Sequence, residues 1–278
     1  MTTTLRPTGP IQQGADGAQF RAYDVCDNGR PVGAVEIGTD PGFGAKAGVL
    51  RSLRIDESRR RRGRGTIAAL AAEEVLRGWG CTRMELSVPA DVPAGQGLAT
   101  ALGYTERSRN MVKEVAPVPP ALPGAVTARP MTDEEFAQWE RHAISDYAQT
   151  WIERGVPADQ AMRKAETGHA QNLPHGLATE GTHLHVLTHE GEVVGHVWVA
   201  RHEMHPGMLV GYVFDVEVRA EFRGRGYGRA LMLQAERIAL DAGDDRLGLH
   251  VLTSNTPALR LYESLGYRTT QYNLVKNL

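Results

Sequence analysis

Cysteine is scarce in this chain of 278 residues, which has only Cys26 and Cys81. Two cysteines build no disulfide framework, and their spacing matches no metal-ligand pattern. Neither sign of charge is in surplus: 31 Lys and Arg stand against 33 Asp and Glu, a formal net charge of −2. A protein that lives on a nucleic-acid backbone usually carries a basic domain, so the balance argues against that class. No apolar run reaches the roughly 20 residues of a membrane-spanning helix. The opening MTTTLRPTGP also lacks the apolar centre of a secretion signal. The expectation is a cytoplasmic protein with no membrane and no nucleic-acid partner. What is present is a globular composition, 41% hydrophobic, with length for two modest domains. Abundant Arg, Ala and Gly fit the codon habit of a high-GC bacterium.

One local excess contradicts the even charge: four arginines, Arg59 to Arg62, run straight into Gly63-Arg64-Gly65. Internal repetition explains the address of this run, because its surroundings occur twice in the chain. GYTERSRNMVKEV begins at Gly103 and GYRTTQYNLVKNL at Gly266, 163 residues later. The same offset carries Arg60 onto Arg223, Gly63 onto Gly226 and Gly65 onto Gly228, and RMELSV (83–88) onto RLGLHV (246–251). Upstream the offset slips to 162, aligning GRPVGAVEI from Gly29 with GEVVGHVWV from Gly191. At the front TLRP (4–7) matches TARP (127–130) at an offset of 123, so the first copy lacks about 39 residues after its opening strand. The repeat gives a first, abbreviated domain at 1–115, a proline-rich linker at 116–126 and a complete second domain at 127–278.

For the complete copy, periodicity and turn residues predict a strand within 124–132, then helices over 132–155 and 157–173 with Thr132 as N-cap. A hairpin follows over 182–203 with its turn at Glu190-Gly191, then a strand over 209–219. A helix over 226–243, a strand over 246–252, a helix over 256–266 and a last strand over 272–277 complete the copy. The order β-α-α-β-β-β-α-β-α-β predicts an α/β fold, a mixed sheet with helices on both faces.

Gly224, Gly226 and Gly228 stand where a strand becomes a helix. Glycines there let backbone N–H groups approach a ligand, and the positive end of the helix favours an anion. Arg223, Arg225 and Arg229 add charge-assisted donors, and a pyrophosphate is the expected guest. A bare strand-to-helix turn with arginines in solvent is the alternative. A dinucleotide fold wants an acidic residue at the end of the next strand, where this chain has Thr253 and Ser254. A phosphate-loop NTPase wants Gly-Lys-Ser/Thr, which is absent.

Arg223 to Gly228, read as R-x-x-G-x-G, together with SNTPALRLYESLGY from Ser254, resembles the GNAT superfamily of acyl-CoA-dependent N-acyltransferases, over all of 127–278. The resemblance implies two tandem GNAT folds, the first without the two helices after its opening strand. It implies acetyl-CoA as co-substrate, its pyrophosphate on the glycine turn. Its pantetheine arm would lie between parting strands near Val216, Val218 and Leu249 to Leu252. It implies contacts from Asn255, and Tyr262 serving the leaving thiol. A strand N–H near Val216 to Val218 would meet the carbonyl oxygen. The expected acceptor is a small-molecule or peptide amine, and no metal is expected.

In the first copy Arg60, Gly63 and Gly65 occupy the motif positions, so the arginine run reads as a second CoA turn or as a worn scaffold turn. Tyr262 aligns with Ala99, Asn255 with Val92 and Glu217 with Arg54. Catalysis is therefore expected in the second copy.

Acetyl transfer needs a neutral amine. Deprotonating a lysine-like amine of pKa about 10.4 costs roughly 4–5 kcal/mol at pH 7, against about 1.4 for an α-amine. A base is thus called for. Asp215, Glu217 and His250 compete; Glu217 and His250 are favoured and stay unseparated. The histidines at 183, 185, 189, 196, 202 and 205 tempt a metal reading. Yet HEMH is one residue short of the zinc-helix motif and lies between strands, so surface and acceptor-cleft roles fit better. Trp139, Tyr147 and Trp151 read mainly as core. The rival readings are a non-catalytic acyl-CoA-binding regulator and a mycothiol-synthase-like enzyme. The expected state is a monomer or weak dimer, the first domain standing in for a partner subunit.

Overall fold

A computed structural model describes every residue except Met1, Ala15, Ala45, Pro119, Arg154 and Pro206, and the side chains of Phe43 and His205. Pro119 of the proline-rich linker and the His205 side chain therefore lie outside the described residues. The chain forms two compact units. Unit 1 is Met1–Ser108 with Glu153–Val156 and Gln271–Leu278; unit 2 is Arg109–Ile152 with Pro157–Thr270.

The first repeat supplies β1 (Thr3–Pro7), β2 (Gln12–Gln13), β3 (Gln19–Asp27), β4 (Arg30–Thr39), β5 (Ala47–Ile55), α1 (Arg64–Gly78), β6 (Arg83–Pro89), α2 (Pro93–Ala101) and β7 (Thr105–Glu114). Among its described residues no helix stands between β1 and β3. The second repeat supplies β8 (Val126–Pro130), α3 (Asp133–Ile152), α4 (Ala158–Asn172), β9 (Thr182–His189), β10 (Glu192–His205), β11 (Met208–Val218), α5 (Tyr227–Asp241), β12 (Arg246–Leu252), α6 (Thr256–Ser264) and β13 (Arg268–Asn277). This is the α/β order expected from the sequence. No helix among the described residues is long and apolar enough to cross a membrane.

Local chemistry accounts for the elements. Thr132 and Glu135 form a reciprocal cap on α3: Glu135 N donates to Thr132 Oγ1 at 3.3 Å, and Thr132 N donates to the Glu135 carboxylate at 2.9 Å. The Arg129 guanidinium also binds Glu135 and, with the cap, holds its carboxyl down at about 2. On α5 Tyr227, Ala230, Leu231, Gln234, Ala235, Ile238 and Ala239 recur at three- and four-residue steps as a helical stripe, and Met232 and Glu236 are buried beside it. The hairpin between β9 and β10 turns at Glu190 and Gly191, both with positive φ (51° and 86°).

In unit 2 the strand order is β7-β12-β11-β10-β9-β8, with β11 and β12 parallel and β8 to β11 antiparallel. One face packs α5 and α6 around Leu187, Val197, Leu231, Leu249 and Tyr262. The other packs α3 and α4 around Trp139, Leu184, Val186 and Trp198. In unit 1 the order is β1-β3-β4-β5-β6-β13, with Val25, Ile37, Leu76 and Met84 in the core beneath α1 and α2.

The chief difference between the units and the repeats, which the sequence did not announce, is that the last strands are exchanged. β13 belongs to the second repeat, yet it runs antiparallel to β6 from Gln271–Pro89 to Asn277–Arg83, within unit 1. The later half of β7 belongs to the first repeat and lies beside β12 within unit 2. Each exchanged strand carries a lysine onto a buried helix glutamate. Lys276 Nζ is 2.8 Å from both carboxylate oxygens of Glu73 on α1, and Lys113 Nζ is 2.6 Å from Glu236 on α5. Both pairs are related by the repeat offset.

Gly195 and its counterpart Gly33 mark the tightest approach of the central strands. A Cβ at Gly195 would lie 2.3 Å from the Glu217 carbonyl oxygen, and one at Gly33 2.2 Å from that of Arg54. Backbone cannot swing aside as a side chain does. Gly195→Ala is expected to destabilise unit 2 by about 3 kcal/mol, the cost of a forced strand shift, read by denaturant unfolding. A loss below about 1 kcal/mol would show that β11 yields freely there.

Candidate active site

Parallel pairing between β11 and β12 is confined to Gly211–Leu247, Tyr212–Gly248 and Val213–Leu249. Beyond it the two strands part, while β11 stays paired with β10 as far as Val218–Gly195. The peptide edge of β11 that faces away from β10 thus fronts a gap. Buried peptide groups need partners, and an extended ligand carrying amides can provide them. Val216 and Val218, expected at the cofactor, place their side chains against the α5–α6 core; what they offer the gap is backbone.

A bulge sets which side chains look out on the other face. Val199 pairs with Val213 and Trp198 with Asp215, leaving Phe214 as the extra residue. Simple alternation would put Asp215 on the same face as core residue Val213; the extra residue turns it over. Phe214 then stacks on Trp198 at 4.7 Å and Asp215 reaches the α3–α4 side. There Asp215 Oδ2 accepts from Trp139 Nε1 at 2.8 Å and lies 2.8 Å from His196 Nε2. Burial alone would raise this carboxyl, but the His196 bond and charge and the Trp139 bond outweigh it and hold it below its usual value. Although walled by protein, 36% of the Asp215 side-chain surface still meets solvent, as a cleft residue does. Glu217 shares this face and pairs with Arg223 at 3.2 Å. His250 is exposed between core residues Leu249 and Val251, so alternation puts it on the same side.

The glycine turn has the expected backbone. Gly224 and Gly226 take φ of 79° and 86°, and Gly226 caps α5 without a side-chain bond. Intrahelical bonding to Gly226 O begins at Arg229 and Ala230. The amides of the first turn therefore point out of the helix's positive end. The arginines also make contacts within the unit. Arg223 folds back, Nε donating to Val218 O at 3.0 Å; Arg229 donates to Ser264 Oγ at 2.6 Å and ties α5 to α6; Arg225 lies over the Phe222 ring at 5.6 Å. Gly228 lets α6 close in, for a Cβ there would meet Leu261 at 3.3 Å. Asn255 caps α6, its Oδ1 accepting from Ala258 N at 3.2 Å. Tyr262 is buried on α6 with its ring 5.8 Å from that of Tyr267. Burial first, and then the charge of Asp215, push its phenol up to about 12.

Unit 1 repeats the trace with other chemistry. Arg60 Nε donates to Ile55 O at 2.9 Å, as Arg223 does to Val218. Arg61, at the position of Gly224, holds a left-handed φ of 59°, and Gly63 caps α1. Gly65 approaches α2 as Gly228 approaches α6. Arg64 is buried and ion-paired with Asp27, where unit 2 packs Tyr227 on His189 at 5.6 Å. Parallel pairing of β5 with β6 ends at Leu50–Leu86, and Arg51 is the extra residue opposite β4. Arg51 pairs with Glu36 at 3.8 Å where unit 2 stacks Phe214 on Trp198. Ser52 and Ala34 replace Asp215 and His196. The parting of the strands survives, and the groups on the far face do not.

Reading the sequence missed the joining of Trp139, His196 and Asp215. The available signal was the repeat comparison, in which these positions change together. A cavity of about 260 Å³ bounded by Glu180, His183, Arg201 and Asp244 lies at the other end of β10 and holds none of these groups. Among the described residues no three or more His, Cys, Asp or Glu side chains gather as a metal site.

The model of the acetyltransferase (GNAT) family matches residues 6–104 and 136–267. The mycothiol acetyltransferase of Mycobacteroides abscessus is 30% identical over 257 residues, 87% of this chain and 80% of that protein. That of Saccharomonospora viridis is 28% identical over 283 residues, 96% and 86% of the two chains. The uncharacterized N-acetyltransferase YdgE of Bacillus subtilis matches at 27% over 156 residues, 55% of this chain and 99% of its own. In three dimensions the chain resembles a tandem GNAT protein from the clavulanic acid biosynthesis pathway, with TM-score 0.54, 18% identity and coverage of 95% and 85%. It also resembles a GCN5-related N-acetyltransferase from Sphaerobacter thermophilus, with TM-score 0.60, 19% identity and coverage of 92% and 80%.

Proposed function

Because the chain belongs to the acetyltransferase (GNAT) family, we propose that unit 2 moves the acetyl group of acetyl-CoA directly onto the nitrogen of a primary amine. The observation that carries this is the parting of β11 and β12 beside the glycine turn, with different chemistry on its two faces. Tyr262 stands on the α5–α6 face, and Asp215 with Glu217 on the α3–α4 face. Amides of the first turn of α5 take the pyrophosphate, and the free edge of β11 takes the pantetheine amides and the thioester oxygen. The amine arrives from the face that α3 and α4 cover, where acidic groups draw a cation and a base releases its proton. Unit 1 keeps the turn but has arginine, serine and alanine opposite the gap. Its role is that of a scaffold, lending β7 to the catalytic unit and carrying at most a second CoA turn at Arg60, Gly63 and Gly65.

For the acceptor, the relatives that match across both repeats are mycothiol acetyltransferases. The amine precursor of mycothiol is therefore the first acceptor to offer. Thiol release from acetyl-CoA is to be followed over a panel of that precursor, aminoglycosides, polyamines, amino acids and peptides with free N-termini. Release that depends on one amine class is the expected result. Bound acetyl-CoA with no release across the whole panel would count against the enzyme and for an acyl-CoA-binding protein.

A further inference from the structure

We propose that His196 is the base that takes the acceptor's proton, with Asp215 and Trp139 as its positioning residues. The inference rests on the N-acetyltransferase reading and replaces the choice between Glu217 and His250. Its ground is geometry. Trp139 Nε1 can only donate, and the ionised Asp215 can only accept, so the 2.8 Å contact to Asp215 Oδ2 uses one lone pair. The His196 Nε2 contact at 2.8 Å to the same oxygen then requires a hydrogen on Nε2. In the neutral ring the basic lone pair is left on Nδ1, which makes no hydrogen bond among the described residues. A carboxylate that fixes ring and tautomer while the opposite nitrogen accepts a proton is the logic of a held histidine base.

Packing holds the arrangement. The Trp139 ring stands edge-on to His196 at 6.2 Å and to Trp198 at 5.5 Å, on a helix that only the second repeat has. The groups around His196 are few. β11 contributes Asp215 and Glu217, and β9 sets Val186 opposite. α4 contributes His169, which burial holds toward its neutral form and which Glu140 of α3 opposes. The rivals are less well disposed. Glu217 Oε1 is already engaged by Arg223, and His250 sits exposed on β12.

The acceptor enters as an ammonium and loses one proton to solvent. Its nitrogen lone pair forms the N–C bond to the thioester carbonyl, and the proton remaining in excess on nitrogen passes to His196 Nδ1. The C–S bond breaks, the departing sulfur leaves against the Tyr262 hydroxyl, and solvent carries the His196 proton to the thiolate. The products are the amide, the free thiol and one proton.

The test uses the whole chain with acetyl-CoA and the amine that responds in the panel. His196→Gln is expected to lower kcat/KM about 100-fold at pH 7, leave the KM for acetyl-CoA unchanged and remove the ascending limb that lies below the amine's own ionisation. Asp215→Asn should lower kcat/KM about tenfold and leave the ring hydrogen distributed over both nitrogens, since the carboxylate no longer fixes the tautomer. Trp139→Phe should do the same with a smaller fall in rate. Glu217→Gln, which removes a charge that draws the acceptor, should raise the KM for the amine and keep the limb, and His250→Gln should also keep it. Retention of the limb in His196→Gln, or its loss in either of the last two, overturns the proposal. A second measurement needs no acceptor: nitrogen NMR of histidine-labelled protein at pH 7.5. Nδ1 of His196 without a hydrogen is expected, and a hydrogen on Nδ1 overturns the assignment. Should no amine be acetylated, the N-acetyltransferase reading fails, while the Nδ1 state still decides whether the ring can act as base.

Discussion

Tyr262→Phe is expected to lower kcat about 100-fold while the KM for acetyl-CoA changes little. The reason lies in what a phenol pushed up to about 12 can do. A thiol near 8.5 is a much stronger acid, so complete proton transfer from this phenol to the leaving thiolate is uphill by roughly 5 kcal/mol. In the proposed reaction Tyr262 is therefore a hydrogen-bond donor to the charge that develops on sulfur, not its proton source. Removing one such donor to a developing anion costs on the order of 10²–10³ in kcat. The same position predicts the pH behaviour. A group with a raised value keeps its proton until the pH passes that value, so deprotonation of Tyr262 should impose no fall in rate below about pH 11. A descending limb near pH 10 that disappears in Tyr262→Phe would sink this account. Circular dichroism of the variant should be native, because Phe fills the same core volume beside Tyr267.

Removing Gln271–Leu278 is expected to unfold unit 1, although those residues end the second repeat. Leu274 is buried in the core under α1 and α2, with Tyr272 and Leu278 packed against it. At about 1.5–3 kcal/mol for a fully buried large side chain, the strand's apolar part alone approaches the stability of a small domain. Glu73 would also lose the ammonium bound to both its oxygens. The point substitution is the finer test. Lys276→Met should destabilise unit 1 by roughly 2–3 kcal/mol. That is less than the 3–5 of a fully buried pair, because Tyr104 still donates to Glu73 at 3.0 Å and Lys276 is partly exposed. Lys113→Met should strike unit 2 in the same way, through Glu236. Hydrogen exchange resolved by peptide separates the outcomes. Lys276→Met should lose protection on α1 and keep it on α5. The reverse would mean that each repeat keeps its own last strand.

An exchange of this kind also bears on the repeats as separate proteins. A chain of 127–278 alone has β13 and Glu236 but no β7 and no Lys113. Two such chains that traded β13 would restore both, with Lys276 of one copy on Glu236 of the other. The intact protein meets the same need within a single chain.

The glycine turn, the parting strands and the helix stripes were legible in the sequence because each rests on neighbours along the chain. Gly226 must cap α5 with a left-handed φ, and the spacing of Ala230, Leu231 and Ala235 can only be a helix face. The repeat set each position beside its counterpart. It showed that Tyr262, Asn255 and Glu217 have no equivalents in the first copy.

Other features depend on what lies opposite in space. GYTERSRNMVKEV and GYRTTQYNLVKNL are alike, so nothing local tells either strand which sheet to join; closure of both cores decided it. The extra residue at Phe214 turned Asp215 from the core to the cleft, and alternation read along the strand predicts the opposite face. Arg223 and Arg229 read as anion donors by position, and only the fold shows that they also reach Val218 O and Ser264 Oγ. Sequence determined the family, the elements and the glycine turn. Tertiary structure alone decided which strand completes which sheet and which side chains meet across the gap, because those pairings join residues far apart in the chain.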